Sequence, residues 1–286
     1  MAKTLALRQQ MHYNKKAVGI RVAEVSLTLT TVNKPEAQTG ELAAKPVQAD
    51  QQAASGENIG FASPHMTDAR LDNIAQQIAA WRKHHPGFDH YIHWLEGFLH
   101  EKRLLHSIGV FEKTLQLGER FGFLPSELQR ASTAAILHDV AKLLPKDEMF
   151  RRAEDYGLIL ADEDRRSPRT LHPIVGAAMV QIEQKIHDED ILNAIRFHTT
   201  ARAHMSDIEV LVYIADKIEG RTRDPNYIAE VEAYLQGNNR LTLRRAMLYI
   251  LDDTLKTLID RHQRIHPRTI SARNSLIFEL SSQESL

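Results

Sequence analysis

The chain has 286 residues, 43% of them hydrophobic and 26% charged, a usage typical of globular proteins and large enough for one sizeable core or two small domains. A formal net charge of -1 and a pI near 7.0 exclude a global cationic field for nucleic acid and do not oppose an anionic ligand, so any anion site must be local. The absence of cysteine removes disulfide frameworks, thiolate metal sites and thiol nucleophiles, which leaves the 15 histidines and the carboxylates as the strong metal donors.

No apolar run approaches the roughly 18 to 20 residues of a membrane span, and no compact apolar core follows the first basic residues. A cytoplasmic protein with neither a membrane nor a nucleic-acid partner is expected. Residues 1–65 read as an extension. Its first half is basic, with Lys3, Arg8, Lys15, Lys16, Arg21 and Lys34 against Glu24, and carries one strand-like alternation at Val25, Leu27 and Leu29. Its second half, Pro35 to Pro64, has the composition of a disordered linker. The abrupt change at Met66 marks that residue as a candidate translation start.

From Met66 onward the 3.6-residue period dominates, and an all-α domain over 66–270 is expected, followed by a fraying tail over 271–286. Leu71, Ile74, Ile78 and Trp81 mark one helix, and Tyr91, Trp94, Leu95 and Phe98 another. A third carries His106, Val110, Leu117 and Phe121 on one face. Ser126-Glu127-Leu128-Gln129 has the form of a capping box for the next. A short helix is expected near 147–156, then a polar loop from Asp162 to Arg169. Pro173 suits a first helical turn, which places His172 at an N-cap. Asp188 caps a helix with Ile191, Ala194, Ile195 and His198 on one stripe. A very apolar helix follows, interrupted by Asp216, and two more are expected near 227–236 and 241–265.

Within this pattern His138 and Asp139 stand side by side after an uncharged run, Ala131 to Leu137. A carboxylate in such surroundings must be protonated, paired or bound to a cation. Taken singly, His106 or His198 on an apolar stripe fits a hydrogen-bonded core residue, and Asp216 fits an ion pair with Lys142 or an arginine. Together with His172 they put imidazoles and carboxylates on successive helices of a bundle, where all can meet at one interior point. Such a donor set suits iron, manganese or zinc better than calcium or magnesium, and Asp139 could bridge two ions. His84, His85, His90, His93 and His100 lack matching acids and read as surface or packing residues.

The order His106, His138-Asp139, Asp216 resembles that of the HD-domain metal-dependent phosphohydrolases. More narrowly, the segments His106–Val110, Leu137–Lys142, His172–Ala177, Asp190–Thr200 and Tyr213–Glu219 are similar to the YqeK-type symmetrical diadenosine tetraphosphatases. The resemblance spans about 100–265. It implies an HD-type helical bundle with a metal, iron foremost, on His106, His138, Asp139 and Asp216, and with His172 and His198 at a second position or facing phosphate. It further implies cleavage of diadenosine tetraphosphate (Ap4A) to two ADP. A second copy of the chain is a separate candidate partner.

Asp139, Lys142, His172 and His198 are then the expected catalytic group, and Lys142, His172, His198, Thr199, Arg202 and Arg221 the expected substrate contacts. The family's His-Thr-Ser-Gly-Arg-Pro-Gly-Met appears here as His198-Thr199-Thr200-Ala201-Arg202-Ala203-His204-Met205, without the two glycines and the proline. Two other readings stand beside this one: the same chemistry on mononucleotides, dNTPs or guanosine alarmones, and a nucleotide-binding module without turnover.

Overall fold

Residues 68–284 are described by the structure, a computed structural model, and the helical period carries through them, with no strand among the described residues. The extension over 1–65, its strand-like stretch and the Met66 start lie outside the described residues. Helix α1 (Asp68–His84) stops where Pro86 begins a 3-10 turn that leads into α2 (Asp89–Leu95). His85 stacks on the buried Trp81 ring at 4.7 Å, His100 caps the next helix, and His90 and His93 face solvent, so this histidine group packs or is exposed as expected.

Helix α3 (Glu101–Arg120) ends at Gly122, whose φ of 70° needs no Cβ to be accommodated and lets Phe123 N return to Gly118 O at 2.9 Å. Helix α4 (Pro125–Leu137) then begins one residue before the expected cap. Pro125 takes the first helical position, and Glu127 accepts the Leu124 N–H at 2.7 Å. The remaining helices are α5 (Lys146–Asp155), α6 (Asp162–Arg165), α7 (Pro168–Glu183), α8 (Glu189–Phe197), α9 (Asp207–Ile218), α10 (Pro225–Tyr234), α11 (Arg240–Asp260) and α12 (Pro267–Glu284).

Helices α3 and α8 each pack against both α4 and α9, which also touch one another; α7 lies on α8, and α11 joins α9 to α12. Ile108, Ile136, Leu192, Ile195, Leu211 and Ile214 are fully buried where these helices meet. Each such side chain stabilises the fold by about 1.5–3 kcal/mol relative to exposure. No helix among the described residues is long and apolar enough to cross a membrane.

Three expectations are corrected. His172 is not an N-cap, because Ser167 caps α7 by accepting the Arg169 N–H at 3.2 Å and Pro168 opens the helix. Pro173 lies inside that helix, so His172 is not placed among free N–H groups at a helix start. The polar loop from Asp162 contains α6, and Asp164 is buried with Arg268 and His266 as partners. The fraying tail is α12, whose Ala272, Leu276 and Leu280 are buried at four-residue intervals on the side that meets α11.

Candidate metal centre

The bundle delivers its histidines with their ring orientation already fixed. His138 and His198 each follow the last residue of a helix, α4 and α8, and each places Nδ1 2.7 Å from the carbonyl oxygen three residues back, Ala135 and Ile195 respectively. His172, in the second turn of α7, has Nδ1 3.1 Å from Pro168 O. His106, in the second turn of α3, has Nδ1 3.0 Å from Glu219 Oε1. Carbonyl and carboxylate oxygens only accept, so in each ring Nδ1 carries the hydrogen. Every neutral imidazole therefore presents an Nε2 lone pair.

Those four lone pairs point at one another and at two carboxylates. His172 Nε2 is 3.2 Å from both His198 Nε2 and Asp139 Oδ1, and His198 Nε2 is 3.4 Å from the same oxygen. On the other side of Asp139, Oδ2 lies 3.5 Å from His138 Nε2 and 3.8 Å from His106 Nε2. Asp216 Oδ1 lies 3.2 Å from His106 Nε2 and 3.7 Å from His138 Nε2. The Nε2 atoms of His106 and His138 are buried and make no hydrogen bond of acceptable geometry.

Acceptors facing acceptors at this range repel unless a proton or a cation lies between them. Mixed imidazole and carboxylate donors fit a divalent first-row metal. Two overlapping sets are close enough to share an ion: His106, His138 and Asp216, and His138, Asp139 and His198. Asp139, with one oxygen toward each histidine pair, stands between them.

The electrostatics agree with that donor set. Burial works to raise both aspartates, but around Asp139 the facing imidazoles of His138, His172 and His198 outweigh it and hold the carboxyl well below its ordinary range. Asp216 is also held well below its ordinary range, by Lys217, His106 and Arg223. Burial pushes His198 down to about 3 and lowers His172 as well, so both stay neutral and able to donate a lone pair at pH 7. Burial also acts to lower His106, but the carboxylates of Asp216 and Glu219 that face it leave it raised.

Lys142 reaches this centre, with Nζ 3.3 Å from His172 Nε2 and 3.5 Å from Asp139 Oδ1, and burial lowers its pKa. Thr199 is partly buried beside His198. Arg202 and Arg221 are committed to other partners: Arg202 pairs with buried Glu209 through two bonds of 2.7 and 2.8 Å, and Arg221 with Glu112 and Gln77 at 2.7 Å. The arginines bonded to the centre are instead Arg103, 3.0 Å from Asp139 Oδ2, and Arg223, 2.7 Å from Asp216 Oδ1.

Sequence reasoning passed over both arginines, together with Lys217 and Glu219. The signal for Arg103 was its place three residues before His106, on the same helical face. The two positions where the HisThr motif lacks glycine, Ala201 and His204, have φ of 58° and 55°, so the chain keeps a left-handed loop there without the residue that suits it.

The HD domain family matches residues 103–221, the span that contains all six converging side chains. A protein of Bacillus subtilis (strain 168) named symmetrical bis(5'-nucleosyl)-tetraphosphatase is 35% identical over 181 residues, which cover 63% of this chain and 91% of that protein. One of the same name from Halalkalibacterium halodurans is 36% identical over 186 residues, 63% of this chain and 92% of its own. Among solved structures, an HD-superfamily hydrolase from Clostridium acetobutylicum, described as involved in NAD metabolism, aligns with a TM-score of 0.61. It is 35% identical and covers 67% of this chain and 97% of its own.

Proposed function

Since the chain belongs to the HD-domain hydrolases, in the family of the symmetrical bis(5'-nucleosyl)-tetraphosphatases, we propose that it hydrolyses Ap4A to two ADP. The observation that carries this reading is the convergence of four Nε2 atoms and two carboxylates on one buried point, with Lys142 beside it. His106, His138, Asp139 and Asp216 would hold the first metal, and His172 and His198 would complete a second position with Asp139 between the two. Iron is the proposed metal, on the mixed donor set and the motif resemblance, with manganese and zinc as the other ions suited to such donors.

When bound, the metal supplies activated water and polarises the phosphoryl oxygen under attack. The side chains do the rest. Lys142, a compact point charge, offsets charge that gathers on the phosphoryl oxygens as water oxygen bonds to an internal phosphorus and the bridging P–O bond breaks. His172, with Nδ1 tied to Pro168 O, keeps Nε2 toward the same place, and Lys142 holds it there. Arg103 and Arg223 fix Asp139 and Asp216 by charge-assisted hydrogen bonds, so neither carboxylate must reorganise during the reaction. The leaving group departs as ADP, and attack on the middle of the chain releases a second ADP.

Incubation of the purified full chain with Ap4A, ATP and guanosine alarmones, with products separated by chromatography, tests this function. ADP as the sole product of Ap4A supports it. ATP plus AMP from Ap4A, or turnover of the alarmone in preference, would replace it with another phosphohydrolase specificity.

A further inference from the structure

The segment that runs from His198 to α9 contains two non-glycine residues in the left-handed region, Ala201 with φ 58° and His204 with φ 55°. A Cβ in this region meets a carbonyl oxygen, so the conformation persists only where surrounding bonds over-determine it. Ala201 is fully buried and has no polar side chain of its own to compensate. Locally its N–H donates to Phe197 O at 2.8 Å and its carbonyl accepts from Thr200 Oγ1 at 3.0 Å, and α12 adds the tertiary bonds. Thr269 Oγ1 donates to Thr200 O at 2.8 Å in a buried contact, one residue before Ala201. Ser275 Oγ accepts the backbone N–H of His204 at 3.1 Å.

The same helix secures the far end of the segment. Glu279 accepts from the Ser275 hydroxyl at 2.8 Å and from Arg244 at 3.2 Å, and Arg244 also donates to Met205 O at 3.3 Å. At its start, Arg268 pairs with the buried Asp164 of α6, shortly before His172. One C-terminal helix thus bonds the backbone of both strained residues' surroundings and braces a second segment that leads to the centre.

We propose that α12 is a strap that holds the His198–Met205 segment in its left-handed conformation, with Thr269 and Ser275 as positioning residues for His198 and Thr199. The proposal rests on the reading of His198 as part of the hydrolytic centre. Without the two hydroxyl bonds the segment relaxes toward ordinary backbone angles and carries the end of α8 with it. Glycine at 201 and 204 removes the cause of the relaxation and makes the strap dispensable.

The test uses the full chain with Thr269→Val and Ser275→Ala combined, alone and with Ala201→Gly and His204→Gly added. Amide hydrogen exchange of residues 199–205 is read beside kcat and KM for Ap4A at measured metal content. The strap variant is expected to exchange these amides about tenfold faster and to lose about tenfold in kcat, while amides of α3 and α4 keep their protection. The glycine pair is expected to return both quantities to within about threefold of wild type. Unchanged exchange and kcat in the strap variant, a uniform acceleration across all helices, or a deeper loss on adding glycine would each overturn the proposal. A wild-type chain that does not cleave Ap4A would sink the Ap4A reading, while the exchange pattern would still decide the strap.

Discussion

His106 Nδ1 donates to Glu219 Oε1 across 3.0 Å, and the carboxylate that accepts it fills a space left open because residue 109 is glycine. Glu219 is fully buried and further held by the backbone N–H groups of Arg221 at 2.6 Å and Thr222 at 3.1 Å. A Cβ at position 109 would fall on Glu219 Oε2 and lie 3.1 Å from its Cδ. Backbone pins the acid on one side, so the clash must be relieved on the His106 side. Gly109→Ala is therefore expected to weaken metal binding roughly 10–100-fold, as loss of a bond that orients a ligand does. Calorimetric titration of the chelator-treated protein checks this, and unchanged affinity would remove Glu219 as the orienting group.

Lys142 is expected to matter for turnover and not for metal loading, since its contacts are to His172 Nε2 and Asp139 Oδ1 and it cannot itself ligate while charged. Lys142→Ala should lower kcat/KM for Ap4A on the order of 100-fold with metal content unchanged. Equal loss of metal would recast it as a structural counter-charge.

Much of the centre was legible because its residue types are costly in their places. A His-Asp doublet closing an uncharged run, and Asp216 inside a very apolar helix, could not be solvated faces, and the structure brings them together with His106, His172 and His198. The partners were harder to read. Arg103, Arg223 and Glu219 are ordinary charged residues by composition; only the packing of α3 against α4 and α9 shows that Arg103 meets Asp139 and Glu219 meets His106, and only the turn after α9 brings Arg223 back to Asp216. Helix starts failed where proline competed with a polar cap: Pro125 and Pro168 opened α4 and α7 ahead of the Ser126 and His172 signals. The tail was misread because Ala272, Leu276 and Leu280 form a narrow stripe whose worth depends on α11 lying beneath it.

Asp164 shows what the misread polar loop does for stability. Its carboxylate is almost fully buried and is satisfied by Arg268 and by His266 at 3.1 Å. Asp164→Ala leaves a partly buried guanidinium without its acid and is expected to cost about 2 kcal/mol, read from urea unfolding. A loss near zero would show that α6 is held by other contacts.

The buried imidazole of His198 makes the metal-free protein sensitive to acid. In the unfolded chain this histidine takes a proton near 6.5, whereas burial delays it in the folded site to about 3. Between those values the unfolded state binds more protons, so stability is complete above 6.5 and falls as the pH is lowered. Asp139 and Asp216, held well below 3.8, add to the same trend at still lower pH, and the raised His106 opposes it. Unfolding free energy measured between pH 7 and 4 should fall less steeply in His198→Gln than in wild type. Identical slopes would mean that His198 is already protonated in the folded protein.

Elemental analysis of anaerobically purified protein, run on wild type, Asp139→Ala, Asp216→Ala and His90→Ala, tests most directly whether the six side chains converge on a cation. His90 is exposed on α2 and serves as the control. Wild type and His90→Ala are expected to carry a first-row transition metal and to yield ADP from Ap4A, and both aspartate variants to lose metal and turnover together. Full metal content in Asp139→Ala, or the same loss in His90→Ala, would contradict the centre described above.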